Sequence, residues 1–491
     1  MASISSAGIG SGLDVNSIVT QLMTIEKQPL TQMQKAASKL NEKLSSYGKI
    51  QSYVSGLRDA ASRLTSPANW AQTSATSADT SVVTASTGSS ATAGAYSIAV
   101  QHLASSQALA SGRYASSTTA VGTGTLHIEL GTWAVDPSGF LARVPAGSVD
   151  VVIDPSSNTL AGIRDKINAA HGGVTASIVT DTGGSRLVLR SSATGAESGF
   201  RITATDDGDG DTGDAGGLSA LAYDPEHGLA FNALTRPNGM ALNQSAADAQ
   251  ATVNGLAVTS ATNTFDNVID GLTFKVGKVS AQAVDVTVAA DTASIKKLVT
   301  DFATAYSDLA KYLGAQTAYD ATTKVAGSLQ GDSAVNSLRS QMRAIVGDTL
   351  GGAGVGAFSR LAQIGLDPQT DGSLKVDGAK LDTALGKLSD VKSLFMAFDA
   401  STPSNNGMAS RLRSWGDGLL GVQGAVTTRS ESLRRQLDSN AKQQDTFSNR
   451  MSNVEARMRA QYSALDTAMS KASALQSYVT QQIAVNNKSS T

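Results

Sequence analysis

A seam of apolar residues towards the C-terminus constrains the fold more than any other feature of this sequence. Steps of four and three from Leu433 reach Leu437, Asn440, Gln444, Phe447, Met451, Val454, Met458, Gln461, Leu465, Ala468, Ala472, Leu475 and Val479. Only Asn440, Gln444 and Gln461 interrupt it, and neither Pro nor Gly falls between Leu433 and Val485. A 3.5-residue period held this long predicts one long helix that offers a narrow stripe to partners. Full burial of such side chains is worth about 1.5–3 kcal/mol each, whereas helix propensities differ by tenths per residue, so packing must hold the helix. Its partner lies elsewhere in the chain or on another chain.

The first 64 residues can supply that partner. Gly8, Gly10 and Gly12 loosen the start. Asp14 is placed to cap a short amphipathic helix carrying Val15, Ile18, Val19, Leu22 and Ile25, and Pro29 suits the first turn of a second helix. That second helix carries Met33, Ala37, Leu40, Leu44 and Tyr47, slips one place, and continues through Ile50, Val54, Leu57, Ala61 and Leu64. Antiparallel or bundle pairing of the two chain ends is therefore expected. The glycines do not read as a nucleotide loop, because no strand precedes them.

Two stretches carry a family resemblance. SSAGIGSGLDVNSIVTQLMTIEKQPL, from Ser5 to Leu30, and RMRAQYSALDTAMSKASALQSYVTQQIA, from Arg457 to Ala484, closely resemble the ends of the flagellar filament cap family, also called flagellar hook-associated protein 2. The piece TLAGIRDKINAAHGGVTASIVTDTGGSRLVLRSSATG is similar to a module recurrent in flagellins and hook-associated proteins, and IGLDPQTDGSLKVDGAKLDTAL again resembles the cap family. The region from Ser105 to Met240 resembles it only loosely.

Between the helical ends the period changes from helix to sheet. Ala95 to Gln101 alternates as a strand should, and strands are expected at Val149 to Ile153, Ala251 to Val258 with a turn at Asn254-Gly255, Leu272 to Val276 and Val284 to Val288. A short helix over Leu160 to Ala170 precedes a hairpin, Val174 to Thr180 and Arg186 to Arg190, turning at Thr182-Gly183-Gly184. Helical period returns at Asp291, with further helices at Asp332 to Leu350, Ala379 to Leu388, Val391 to Phe398 and Met408 to Leu420. The chain then enters the long helix.

The expected fold is a multidomain α+β protein. Paired N- and C-terminal helices form a coiled-coil-like bundle leg, and two β-rich domains are inserted in the middle of the chain. Residues 1–44 and 436–491 are the terminal helical segments, flexible when unassembled, and 45–78 with 292–435 make a helical leg domain. Residues 79–105 with 241–291 make a β-rich domain, into which 106–240 is inserted as an outer β-rich domain. A length of 491 residues accommodates about three or four domains.

Little in the sequence points to chemistry. The absence of Cys excludes disulfides, thiolate metal sites and Cys nucleophiles. His102, His127, His171 and His227 are scattered without metal-ligand spacing and are expected in exposed loops or turns. Asp207, Asp209 and Asp211 alternate as a Ca²⁺ loop requires, but Thr212 occupies the sixth place, where Gly belongs, and Leu218 the twelfth, where Glu belongs. A solvated acidic loop is the expectation, with no metal and no cofactor. A formal net charge of −2 gives no electrostatic reason to bind nucleic acid. The arginines of the last helix, from Arg429 to Arg459, alternate with Glu431, Asp438, Asp445 and Glu455, which reads as a mixed solvated face. No run reaches the roughly 18 apolar residues of a membrane span, and Met1 to Asp14 lacks the pattern of an ordinary signal peptide.

The resemblance implies a structural, non-enzymatic function: a ring-shaped homo-oligomer that caps the growing flagellar filament and guides exported flagellin into the lattice. Implied partners are further copies of the chain, flagellin, hook-filament junction proteins, and an export chaperone on the C-terminal helix. The implied location is the filament tip, reached by the flagellar type III pathway. Contacts to filament and neighbouring subunits are expected at Ile9, Leu13, Val15, Ile18, Leu22, Leu465, Met469, Leu475 and Val479. An alternative role is that of a tip adhesin binding host mucin or glycans through the outer β domain.

Overall fold

The computed structural model describes residues 14–135, 138–144, 147–207, 214–322, 324–351 and 356–488. The chain divides into two compact units, one made of both chain ends (Met1–Trp70 with Thr292–Thr491) and one of the middle (Ala71–Asp291). In the first, α1 (Val15–Glu26) starts where Asp14 Oδ1 accepts a hydrogen bond from the Ser17 amide at 3.0 Å, and it buries Val15, Val19 and Met23. The next helix, α2 (Gln28–Leu64), has Pro29 in its first turn, where the missing amide hydrogen costs nothing. Its buried face runs Tyr47, Ile50, Val54, Leu57, Ala61 and Leu64. The short α3 (Pro67–Trp70) turns Trp70 inward, and the indole donates to the Leu64 carbonyl at 2.7 Å.

In the middle unit the chain forms β1 (Thr73–Ser77), β2 (Val83–Thr87), β3 (Gly94–His102), β4 (Ala108–Ala110), β5 (Gly124–Val135), β6 (Ser138–Ala142) and β7 (Ser148–Ile153). There follow α4 (Leu160–Ala170), β8 (Val174–Asp181), β9 (Gly184–Ser191), β10 (Gly199–Asp206) and β11 (Ala241–Gln244). It closes with β12 (Ala249–Val253), β13 (Leu256–Ser260), β14 (Thr264–Ile269), β15 (Leu272–Val276) and β16 (Val284–Ala290). Two sheets, ordered β1-β16-β3-β12-β13 and β14-β15-β2, enclose one core. There every second residue of β15 and β16 points inward, and Phe265 stacks on Phe274 with centroids 4.7 Å apart. A separate core is built between the sheets β11-β4-β9-β8 and β10-β5-β6 with β7, and α4 adds Ile163 and Ile167 to it.

The strands β5 and β10 were not anticipated, although they pair in register with Ile202 opposite Ile128. Glycine hides β5 in the sequence. A Cβ at Gly131 would lie 2.2 Å from the Leu141 carbonyl oxygen, so this glycine permits close strand approach where the sequence reads as loop.

The chain returns to the helical unit through α5 (Thr292–Thr317), β17 (Tyr319–Asp320), β18 (Val325–Ala326), α6 (Ser333–Gly347), β19 (Leu366–Pro368), β20 (Leu374–Val376), α7 (Gly378–Leu385), α8 (Leu388–Met396), α9 (Met408–Leu420) and α10 (Ala425–Lys488). Their apolar faces join that of α2 in one core that includes Phe302, Tyr306, Leu338, Leu394, Phe395 and Leu412. The helix expected to reach Leu350 ends at Gly347. Asp348 leaves the helix to pair with Arg411 at 2.8 Å, and the Leu350 amide donates to the Ser359 carbonyl instead of continuing the turn. Among the described residues, no helix is long and apolar enough to cross a membrane.

Candidate functional site on the paired terminal helices

The 64-residue α10 changes its surroundings along its length. Its base is fixed in the helical core, where Val426 and Leu433 are buried and Leu40 and Leu44 of α2 pack at the edge. The two helices run antiparallel. Near the base, the buried Tyr47 hydroxyl donates to Asp332 Oδ1 at 2.9 Å, and Arg429 Nη2 reaches Asp332 Oδ2 at 3.3 Å. Asp332 also caps α6, accepting from the Ala334 amide at 3.1 Å, so one carboxylate ties three helices together. Burial, aided by the bond to Asp332, pushes the Tyr47 hydroxyl well above the usual phenol range. Further along, two of the three polar breaks in the seam pair with each other, Gln444 Nε2 donating to Asn440 Oδ1 at 2.5 Å.

The middle of α10 is covered by α1. Val15, Val19 and Met23 form a small core with Met451, flanked by half-buried Phe447, Val454, Met458 and Tyr462. A polar rim closes over it. Arg459 binds Glu455 at 2.9 Å and donates to Asn16 Oδ1 at 2.9 Å, while Lys27 lies 3.5 Å from Glu455. The hydrogen bond from Arg459 holds the Glu455 carboxyl below its usual range.

Beyond Tyr462 nothing in the described chain covers the seam. Leu465, Met469, Leu475 and Val479 are 47%, 43%, 64% and 48% exposed, and every residue from 471 to 485 is exposed. At about 100° per residue, these four fall with Ala472 and Ile483 on one face of the helix. Apolar side chains in a row on an isolated helical arm mark a surface built for a partner.

The expected contact residues therefore separate into two groups. Val15 is buried against α10 and Ile18 and Leu22 are half-buried on α1, whereas Leu465, Met469, Leu475 and Val479 are free. Ile9 and Leu13 lie outside the described residues. Packing within the chain continues to Tyr462 because α1 folds back over the seam. Of the acidic loop, Asp207 is exposed, and Asp209 and Asp211 lie outside the described residues. His127 is not on a loop; it sits in β5 with Nδ1 2.5 Å from Asp150 on neighbouring β7. His227 belongs to a cluster with Asp224 and Glu226 that sequence reading missed, since D-x-E-H matches no familiar spacing.

Family models match most of both helical ends and part of the middle, and relatives align over the full length. Residues 11–107 match the family of the flagellar hook-associated protein 2 N-terminus, 246–474 that of the C-terminus, and 148–193 the flagellin hook IN motif. The chain is 30% identical to flagellar hook-associated protein 2 of Escherichia coli K12, with all of both chains aligned. It is also 30% identical to the B-type flagellar hook-associated protein 2 of Pseudomonas aeruginosa, over 99% of this chain and 98% of that one. A crystal structure of the D1-D2-D3 domains of the flagellar cap protein FliD from Escherichia coli superposes with a TM-score of 0.53 at 26% identity. It covers 79% of this chain and 99% of that one.

Proposed function

Since this chain belongs to the flagellar hook-associated protein 2 family, we propose that it caps the distal end of a flagellar filament and promotes the ordered assembly of exported flagellin. The observation that carries this reading is the uncovered stripe from Leu465 to Ile483 at the end of a helix whose base is firmly anchored. An arm of this kind presents apolar contacts at a distance from its own core. It is suited to insertion between the terminal helices of other subunits.

On this reading, residues 1–44 and 436–491 engage the filament end, and 45–78 with 292–435 form the leg domain. Residues 79–105 with 241–291 form an inner β domain and 106–240 an outer one. The two separate buried cores in the middle unit support the last division. Copies of the chain assemble into a ring, with flagellin and the hook-filament junction proteins as neighbours. The exposed stripe is where an export chaperone would hold the chain before assembly. Growth proceeds by local rearrangement of the arms, which a seam broken by Asn440, Gln444 and Gln461 permits more readily than a continuous apolar core. The chain acts as a structural element, and no catalytic step is assigned to it.

Deletion of Ser463 to Thr491 tests this reading. The expected result is a folded middle, judged by circular dichroism, together with flagellin monomers leaking into the medium and short or absent filaments. Filaments of normal length and number from the truncated chain would overturn it.

A further inference from the structure

The turn after β10 holds a cluster that filament capping does not use. Asp224, Glu226 and His227 occupy one 3₁₀ turn and its cap, and one potential ligand atom from each lies within 4.8 Å of the other two. Glu226 and His227 face solvent, whereas Asp224 is only 2% exposed. Asp224 Oδ2 lies 2.9 Å from His227 Nδ1, and Oδ1 of the same carboxylate is buried with no hydrogen-bond partner among the described residues. Leaving a buried acceptor unsatisfied is costly, more so when it is charged, so this oxygen calls for a donor or a cation.

Arg201 does not meet that need. Its Nη1 is 3.5 Å from Asp224 Oδ2, while its short bond, 2.7 Å, goes to Glu129, and its guanidinium lies over the Phe140 ring at 4.9 Å. Two carboxylates, Glu129 and Asp224, share one guanidinium, and Glu226 adds a further negative charge within 4.8 Å of the Asp224 carboxylate, which leaves a local charge that a divalent cation would balance. The backbone holds the donors in place. The Asp224 amide and carbonyl both pair with Leu229 at 2.8 Å, closing the turn. A Cβ at residue 139 would lie 3.0 Å from Glu226 Oε1, so glycine there leaves room for that carboxylate.

We propose that Asp224, Glu226 and His227 bind one divalent transition-metal ion, with zinc the best match. One imidazole nitrogen and two carboxylate oxygens form the borderline N/O set that zinc and cobalt accept in tetrahedral geometry, with water as the fourth ligand. Calcium, which needs six to eight oxygens, is poorly served here. The ion satisfies Asp224 Oδ1 and pins the exposed turn to β10, stiffening the rim of the outer β core rather than taking part in a reaction.

The test is titration of the chelator-treated full-length protein with zinc chloride by calorimetry, and with cobalt chloride by visible absorption. Saturable one-to-one zinc binding is expected, with the absorption of four-coordinate cobalt. His227→Ala and Glu226→Gln alter exposed side chains and should fold normally; each should weaken zinc at least about tenfold, as the loss of one of three protein ligands requires. His102→Ala, on a distant strand end, should bind as the parent does. Absence of saturable zinc binding, or equal affinity in His227→Ala and the parent, would overturn the proposal. So would a loss in His102→Ala as large as that in His227→Ala.

Discussion

Asp332 concentrates more structural consequence in one side chain than any residue of the seam itself. It caps α6, receives the Tyr47 hydroxyl from α2 and faces Arg429 at the base of α10. Tyr47→Phe removes one bond to a charged acceptor while the α6 amides stay satisfied, so a loss of about 1.5–3 kcal/mol is expected in urea unfolding of the helical unit. The same tyrosine sets an alkaline limit. Its folded pKa lies above the unfolded value, as does that of Tyr306, which burial pushes up to about 12. The stability these phenols contribute is whole below their unfolded pKa, near 10, and is lost as pH rises from there towards the folded values. Melting temperature should therefore fall steeply above about pH 10. The Tyr47→Phe variant should fall less steeply, because one fewer buried phenol ionises on unfolding.

Among the elements, α1 is the one most lightly held. Its small core against α10 contains Val15, Val19, Met23 and Met451 and has half-buried flanks. Met451→Asp would set a carboxylate against Val19 and Met23, and the cost of burying that charge exceeds what so small a core supplies. Amide exchange of α1 should then rise to that of an unstructured peptide while α2 and α5 keep their protection; unchanged exchange in α1 would refute this. Legibility differed between elements for a physical reason. Helices α1, α2, α4 and α9 were readable because each carries its own cap or period in a continuous stretch, as Asp14 and Thr159 do by accepting from Ser17 and Gly162. The strands β5 and β10 were not, since a strand's partner lies far away in sequence and glycines such as Gly131 serve strands that are yet to arrive. The end of α6 was misplaced because its terminus is set by Arg411, well outside the local window.

At the scale of the whole molecule, the uncovered stripe governs association. Leu465, Met469, Leu475, Val479 and Ile483 are each about half exposed, so completing their burial gains roughly half of the ~1.5–3 kcal/mol of a full transfer apiece, and the five together are enough to drive assembly once arms meet in register. The double variant Leu475→Lys with Val479→Lys keeps helix-forming residues but breaks the stripe. Light scattering should show a lower mass for it than for the parent at the same concentration, with unchanged thermal unfolding of the middle unit. Equal masses would place the subunit contact elsewhere.

The sequence by itself determined the long helix, its apolar seam, the caps of the shorter helices, the change from helical to strand period, and through the wording of its ends the family. These are properties of contiguous residues, in which side-chain period and local hydrogen bonding are fixed over a few turns. Only the tertiary structure decided which part of the seam is used within the chain. Leu433 and Met451 are buried and Leu475 is bare although all three lie on the same apolar seam, because α2 and α1 cover α10 only as far as Tyr462. The same holds for Asp224, whose neighbour Arg201 comes from a distant strand, spends its short bond on Glu129 and leaves one buried oxygen that no reading of the tetrapeptide around Asp224 reveals. Burial is a property of what arrives from elsewhere in the chain, and a repeat cannot specify where its partner ends.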